Sequence, residues 1–257
     1  MSLKIATWNV NSLRVRLPQV LDWLDNEQPD ILAVQETKTA DPDFPLQALI
    51  AAGYQTLFSG QKTYNGVALF SRSPATDPVQ DLPDLQDPQR RVLGATIGPL
   101  RILNVYVPNG QAVGTEKYAY KLAWLDKLIS HLQEQLANHT YFVVLGDFNI
   151  APEDRDVYDP QVWSGQVLCS EPERSALQQL LTLGLRDAFR LFEQEPASYS
   201  WWDYRAAGFR RNHGLRIDLI LVSTALASLC TACWIDKTPR HLERPSDHTP
   251  VVATFDL

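Results

Sequence analysis

No stretch of the chain approaches 18 consecutive apolar residues, which excludes a membrane-spanning helix. A secretory leader is also missing: the opening MSLKIATWNVNS places polar Asn9, Asn11 and Ser12 where such a leader needs unbroken apolar sequence, so a cytoplasmic location is expected. Cysteine is scarce. Cys169, Cys230 and Cys233 are an odd set that suits reduced thiols better than a disulfide framework. Cys230 and Cys233 have C-x-x-C spacing, yet LASLCTACWI reads as a strand, on which residues three apart face opposite sides. With no second pair to complete a zinc site, buried and inert thiols are expected. Repeats of 20 to 50 residues and low-complexity tracts are absent. A basic surplus is absent too: 23 basic against 30 acidic residues leave a net charge of −7, the opposite of the usual sign for a nucleic-acid binder.

What remains is a globular mixture of 257 residues, 45% hydrophobic and 21% charged. The basic residues are weighted towards arginine, 16 Arg to 7 Lys, and arginine grips phosphate with a planar fork. A site for a divalent cation gathers carboxylates, which lowers the net charge without making the surrounding surface repel phosphate. Short β-like runs recur: KIATWNV, ILAVQE, GYQTLFS, GVALFS, RVLGATI, RILNVYV, YFVVLGDF, RIDLILVS and HTPVVATF. Between them, Tyr118, Leu122, Leu125, Ile129, Leu132 and Leu136 step by four and three along one helix face, and shorter helices are expected near 15–26 and 174–183. Strands that follow one another as hairpins, with helices interspersed, predict a layered α/β fold with mixed sheets. Two segments resist regular structure. Residues 73–89, with Pro74, Pro78, Pro83 and Pro88, read as a long surface loop joining strands of one sheet; residues 151–172 follow an acidic strand end and read as a site mouth.

Polar and acidic residues sit at the ends of these apolar runs: Asn9 after KIATW, Glu36 after ILAVQ, Asp147 and Asn149 in VVLGDFN, Asp218 opening DLILV, and Asp247-His248 before TPVVA. Singly, each reads as a turn residue, a surface pair or a structural histidine; Asp218, for instance, has Arg216 within reach. Together they are five segments delivering polar groups to strand ends. If those ends share one edge, Glu36, Asp147, Asp218 and Asp247 form a carboxylate cluster whose mutual repulsion a divalent cation relieves. Oxygen donors without cysteine select Mg²⁺, or Mn²⁺ in its place, over zinc.

The segments NVNSLR (9–14), LAVQETK (32–38), GQKTYNGVALFSR (60–72), QRR (89–91), NVYVPNG (104–110), LGDFNIAPEDRDV (145–157), SWWDYRAAGFRRNHGLRIDLILVS (200–223) and PSDHTPV (245–251) resemble the exonuclease III family. These are Mg²⁺-dependent DNA-repair nucleases within the endonuclease/exonuclease/phosphatase superfamily. GDFN and SDH mark only the superfamily, whereas SWWDYR and GLRIDL are narrower. The likeness runs from Ile5 to Phe255, implying one domain over 1–257 with a four-layered α/β sandwich fold, two mixed sheets packed face to face and helices outside.

By motif match the resemblance implies that Glu36 is the central metal ligand, with Asn9 and Asp247 close by and Asp147 and Asn149 in the same metal-binding set. Asp147 would position or deprotonate the attacking water, with His248 as the alternative acceptor of its proton, Asn149 would hold that water, Tyr106 would contact the scissile phosphate, and Asp218 would orient His248. Lys62, Arg90, Arg91 and Arg205 would meet DNA phosphates, with Arg14, Arg210 and Arg211 beside them. Trp201, Trp202 and Leu215 would form the apolar wall that accepts a sugar lacking its base. Trp202 stands where the family more often has Phe, and His213 where Arg is common. The implied activity is hydrolysis of phosphate esters at abasic sites and 3′ ends of duplex DNA, by a monomer with no obligate protein partner. A relaxed nuclease or small-phosphate phosphodiesterase, and a non-catalytic lesion-binding protein, are the alternatives. Position alone gives the 151–172 loop a role in balancing abasic-site, 3′-phosphatase and exonuclease action.

Overall fold

The computed structural model describes residues 2–83 and 85–257. Its strands are β1 (Ser2–Asn9), β2 (Ile31–Gln35), β3 (Gln55–Ser59), β4 (Val67–Ser71), β5 (Ala75–Gln80), β6 (Val92–Ile97), β7 (Leu100–Tyr106), β8 (Phe142–Asp147), β9 (Leu185–Asp187), β10 (Trp201–Trp202), β11 (Gly214–Leu215), β12 (Asp218–Ser223), β13 (Cys230–Ile235) and β14 (Val251–Asp256). They form two six-stranded sheets, β13-β14-β1-β2-β4-β3 and β5-β6-β7-β8-β12-β9, and a small ribbon, β10-β11. Both large sheets are mixed: β1 runs parallel to β2 and antiparallel to β14, while β7 runs parallel to β8 and β8 antiparallel to β12.

The two-residue period of a strand gives each sheet an inner and an outer face. Ile5, Ile31, Ala33, Val67 and Leu69 of the first sheet meet Leu93, Ile102, Val143, Leu145, Ile220 and Val222 of the second in a core between the sheets. Their alternate neighbours point outward. Trp8, Leu32, Val34 and Phe70 pack under Val20, Trp23 and Leu24 of the helix Leu13–Glu27. Leu103, Val105, Phe142 and Val144 pack under the helices Glu116–Asn138 and Glu171–Thr182. The order of layers is therefore helix, sheet, sheet, helix, as expected for a four-layered sandwich. Both helices on the second sheet are capped: Thr115 accepts from the Tyr118 amide at 3.2 Å, and Ser170 and Glu173 close a reciprocal box. Among the described residues, no helix is long and apolar enough to cross a membrane.

Three expectations need correction. Residues 73–89 do not join strands of one sheet: β4 belongs to the first and β6 to the second, so the segment crosses between layers. Part of it is β5, an edge strand whose pairing with β6 slips between Thr76 and Val79, where Pro78 lacks a ladder donor. The buried face of the long helix is rotated from the predicted stripe. It comprises Tyr118, Lys121, Trp124, Leu125, Leu128, His131 and Leu132, with Leu122, Ile129 and Leu136 at its margins. Finally, Cys169 and Cys233 are buried, but Cys230 is only half-buried, at an irregularity in the pairing of β13 with β14.

Candidate active site

The rows of inner-face residues change character at one end. On β1 the row is Ile5, Thr7, Asn9; on β2 it is Ile31, Ala33, Gln35; on β7 it is Ile102, Asn104, Tyr106; on β8 it is Val143, Leu145, Asp147. β12 runs the other way and starts its row with Asp218, directly opposite Asp147, while Tyr106 lies beside Asp147 on the parallel neighbour. The period that fills the core thus delivers polar groups from both sheets to one end of it. A polar layer seals the boundary: Gln35 Nε2 donates to Thr7 Oγ1 at 2.9 Å and Asn104 Oδ1 at 2.7 Å, and Asn104 Nδ2 donates across to the Val34 and Ala68 carbonyls.

Strand ends then bend sharply to aim the remaining groups. Glu36 and Asn149 hold φ of 52° and 50°, left-handed conformations that cost of order 1 kcal/mol or more for a non-glycine residue and concentrate at working sites. Asn9 Nδ2 donates to Glu36 Oε1 and Asp147 Oδ2, each at 2.9 Å. Tyr106 OH donates to Glu36 Oε1 at 2.9 Å. Asp147 also accepts from the Asn149 backbone amide at 2.9 Å and the Asn149 side chain at 3.2 Å. His248 Nδ1 lies 2.9 Å from Asp218 Oδ2, and its Nε2 lies 3.7 Å from Asp147 Oδ2. Ligand atoms of Glu36, Asp147 and His248 all fall within 4.8 Å of one another. They line a cleft of about 320 Å³ with Tyr106, Asn109, Asn149, Asp247, Trp201 and Arg205.

Burial sets the electrostatics. Removal from water, reinforced by the Asp218 and Glu36 charges, pushes the Asp147 carboxyl up to about 7 although His248 pulls the other way. For His248, desolvation opposes the charged form, but Asp218 and Asp147 outweigh it and lift the ring to about 10. Burial alone would raise Glu36; the Lys38 ammonium, 2.7 Å from its Oε2, together with hydrogen bonds, brings it below the ordinary carboxylate value. Tyr106 is held well above its usual value by burial and the neighbouring carboxylates, so its phenol keeps its proton.

Asn9, Glu36, Tyr106, Asp147, Asn149, Asp218 and His248 therefore converge. Asp247 joins the cleft with its carboxylate engaged by Asn11 Nδ2 at 2.9 Å and Trp201 Nε1 at 3.1 Å, outside the group of three ligand atoms. Asp218 does not pair with Arg216, which is buried between Asp156 and Asp187. The apolar wall is narrower than expected. Trp201 faces the cleft, but Trp202 is fully buried, donates to Asn212 Oδ1 and packs edge-on to Phe209, and Leu215 is buried beside Trp201 as its cross-strand partner. Arg91 lies 4.7 Å over the Tyr106 ring and donates to the Tyr106 carbonyl, so it braces that tyrosine. Arg90 pairs with Asp81, Arg205 is 89% exposed at the rim and pairs with Asp203, and Lys62, Arg14, Arg210 and Arg211 are exposed. His213 stacks on Tyr158. The 151–172 segment supplies Trp163, Val167 and Leu168 to the cleft wall.

Several contributors carry no strand-end signature. Asn11 and Lys38, joined at 2.5 Å, and Asn109, which donates to Asn149 Oδ1 at 3.0 Å, lie inside NVNSLR, QETK and YVPNG but on turns, where a polar residue is unremarkable from sequence. Lys121 falls off the apparent helix stripe, and nothing in the pattern marks it as buried.

The model of the endonuclease/exonuclease/phosphatase family matches residues 6–248. Exodeoxyribonuclease III of Haemophilus influenzae is 35% identical, covering 98% of this chain and all of its own length. Among solved structures, a 3′ phosphatase from Neisseria, NExo, bound to product DNA hairpin superposes with a TM-score of 0.98 at 50% identity, covering 99% of this chain and 100% of that one. An AP endonuclease from Archaeoglobus fulgidus gives 0.95 at 40% identity over the same shares.

Proposed function

Given that this chain belongs to the endonuclease/exonuclease/phosphatase family and gathers its acidic groups where two sheets end, we propose that it hydrolyses phosphate esters in damaged duplex DNA, at abasic sites and at 3′ ends. It is a DNA-repair nuclease of exonuclease III type, a hydrolase acting on DNA. The single observation that carries the residue-level reading is the meeting of Glu36, Asp147 and the Asp218–His248 pair within one buried cleft. We read residues 1–257 as one domain, working as a cytoplasmic monomer.

The donor set suits a hard divalent cation: oxygen atoms predominate, no thiolate is near, and Asp147 is in electrostatic conflict with its acidic neighbours. Mg²⁺ is the ion proposed, with Mn²⁺ as substitute, held by Glu36 and Asp147 with Asn9, Asn149 and Asp247 around them. When bound it would neutralise phosphate charge and stabilise the leaving oxygen. The protein's own groups do the rest. Asp147, whose burial favours the protonated form, accepts a proton from the attacking water on a carboxylate oxygen that the cation leaves free, as a general base requires. Asn149 fixes the orientation of that carboxylate through two donors. His248, kept charged by Asp218, donates from Nε2 to a non-bridging phosphate oxygen as charge builds there. The protonated Tyr106 phenol donates towards the same phosphate, and Trp201 offers a flat face to a sugar without a base.

The test is cleavage of labelled duplexes carrying an abasic-site analogue, a nick with a 3′-phosphate, or a recessed 3′-hydroxyl, with Mg²⁺ or with EDTA. Products that need Mg²⁺ and vanish in Asp147→Ala support the proposal and rank the activities. Tight binding without cleavage would instead favour a lesion-binding protein.

A further inference from the structure

We propose that the buried Lys121–Glu173 pair is a positioning device for the reaction: it fixes Asn109 and Asn149 from behind and ties the 151–172 segment to them. The inference rests on the phosphohydrolase reading above.

Lys121 sits on the long helix with no exposed surface, which lysine almost never does unless paired. Its ammonium has three donors and uses them in three directions. One goes to the Asn149 carbonyl at 2.7 Å, one to the Asn109 carbonyl at 3.1 Å, and one to the Glu173 carboxylate. Asn109 and Asn149 touch on the other side, Nδ2 to Oδ1 at 3.0 Å, so the ammonium clamps the backbones of two residues whose side chains meet in the cleft. Glu173 extends the clamp. It accepts from the Leu168 amide at 3.0 Å and the Ser170 amide at 3.1 Å, and Leu168 is a wall of the cleft. Space for the lysine stem is reserved at Gly110, where a Cβ would lie 3.1 Å from Lys121 Cδ and where φ is +91°.

Stability alone does not account for this arrangement, because well-packed apolar side chains in place of a buried ion pair are commonly as stable or more so. An apolar pair could fill the space but could not orient two carbonyls on different loops. Asn149 needs a fixed position because it turns left-handed directly after Asp147's strand and its amides set the orientation of that carboxylate. Lys121 touches no reacting atom in this scheme. It acts through Asn109 and Asn149.

The deciding experiment compares wild type, Lys121→Met/Glu173→Gln and Lys121→Arg on the abasic and 3′-phosphate duplexes with Mg²⁺, reading kcat, KM and the thermal midpoint together. The double variant removes both charges, so no lone buried ion remains and a cooperative melt is retained. Its kcat falls at least tenfold while KM changes less than threefold. Lys121→Arg keeps the charge, but a planar fork cannot reach two carbonyls and a carboxylate from one point, and kcat falls at least threefold. Wild-type kcat in the folded double variant overturns the positioning role and leaves the pair purely structural. If the double variant does not fold, Lys121→Arg decides, and an unchanged kcat there overturns the proposal. Wild-type protein that cleaves none of the duplexes would overturn the phosphohydrolase reading and this inference with it.

Discussion

Asp147 and His248 lie 3.7 Å apart with their proton affinities pushed upward by different causes, burial for the acid and a neighbouring acid for the imidazole. Asp147→Asn keeps the shape but cannot take a proton, and kcat should fall by about 100-fold or more on any cleaved duplex, as for other positioned bases. Asp218→Asn removes the charge that raises His248. The ring then loses its proton at lower pH, so the alkaline limb of the kcat/KM profile should move downward, which a pH series on wild type and variant would show. Burial dominates at the thiols, against the nearby Arg174 charge for Cys169 and a backbone hydrogen bond at Ala232 for Cys230: Cys169 is pushed up to about 12 and Cys230 to about 11. At pH 8 even Cys230 should carry about 100-fold less thiolate than a free cysteine. Native protein should therefore react slowly with a thiol-exchange reagent, faster as pH approaches 11, and rapidly once unfolded. At this scale the acidic strand-end residues were legible because they interrupt apolar runs. Asn109, Asn11 and Lys38 were not, because a polar residue on a turn is ordinary.

Strands were legible as short β-branched and aromatic runs bounded by turn residues, because strands buried on both faces stay apolar throughout: Val143 and Leu145 face inward while Phe142 and Val144 face out. The long helix was legible in extent but not in orientation. Two of its buried residues, Lys121 and His131, are polar, and that rotates the true face away from the leucine stripe. Segment 73–89 misled because proline in an edge strand looks like loop. One residue of β8 is more constrained than its neighbours suggest. Gly146 has φ of +146°, and a Cβ there would lie 1.9 Å from the Val105 carbonyl of β7, the strand that carries Tyr106. Gly146→Ala should cost about 2 kcal/mol or more, read as a lower urea midpoint with loss of activity in the surviving folded fraction, because β7 and β8 must separate to admit the methyl.

For the whole molecule, a net charge of −7 and a DNA substrate are reconciled by placement. A net value does not fix the sign at any one face: Arg14, Lys62, Arg210 and Arg211 reach solvent, and Arg205 stands at the cleft rim beside Asp203. Affinity for duplex DNA should fall steeply between 50 and 200 mM salt, with a log–log slope near one per phosphate contacted. A flat response in a titration series would remove these arginines from the interface. Sheet order also governs when such a molecule can first act. β1 takes β14 as its antiparallel neighbour, Ser2 against Asp256, and Asp247 and His248 precede that strand directly. On the ribosome, Glu36 and Asp147 emerge long before the histidine that completes their cleft, and the first sheet waits open-edged for its last partner. On the proposed role of His248, a chain stalled before residue 245 holds most of the acidic cluster without that histidine and should cut no duplex until β14 is made, released and paired with β1.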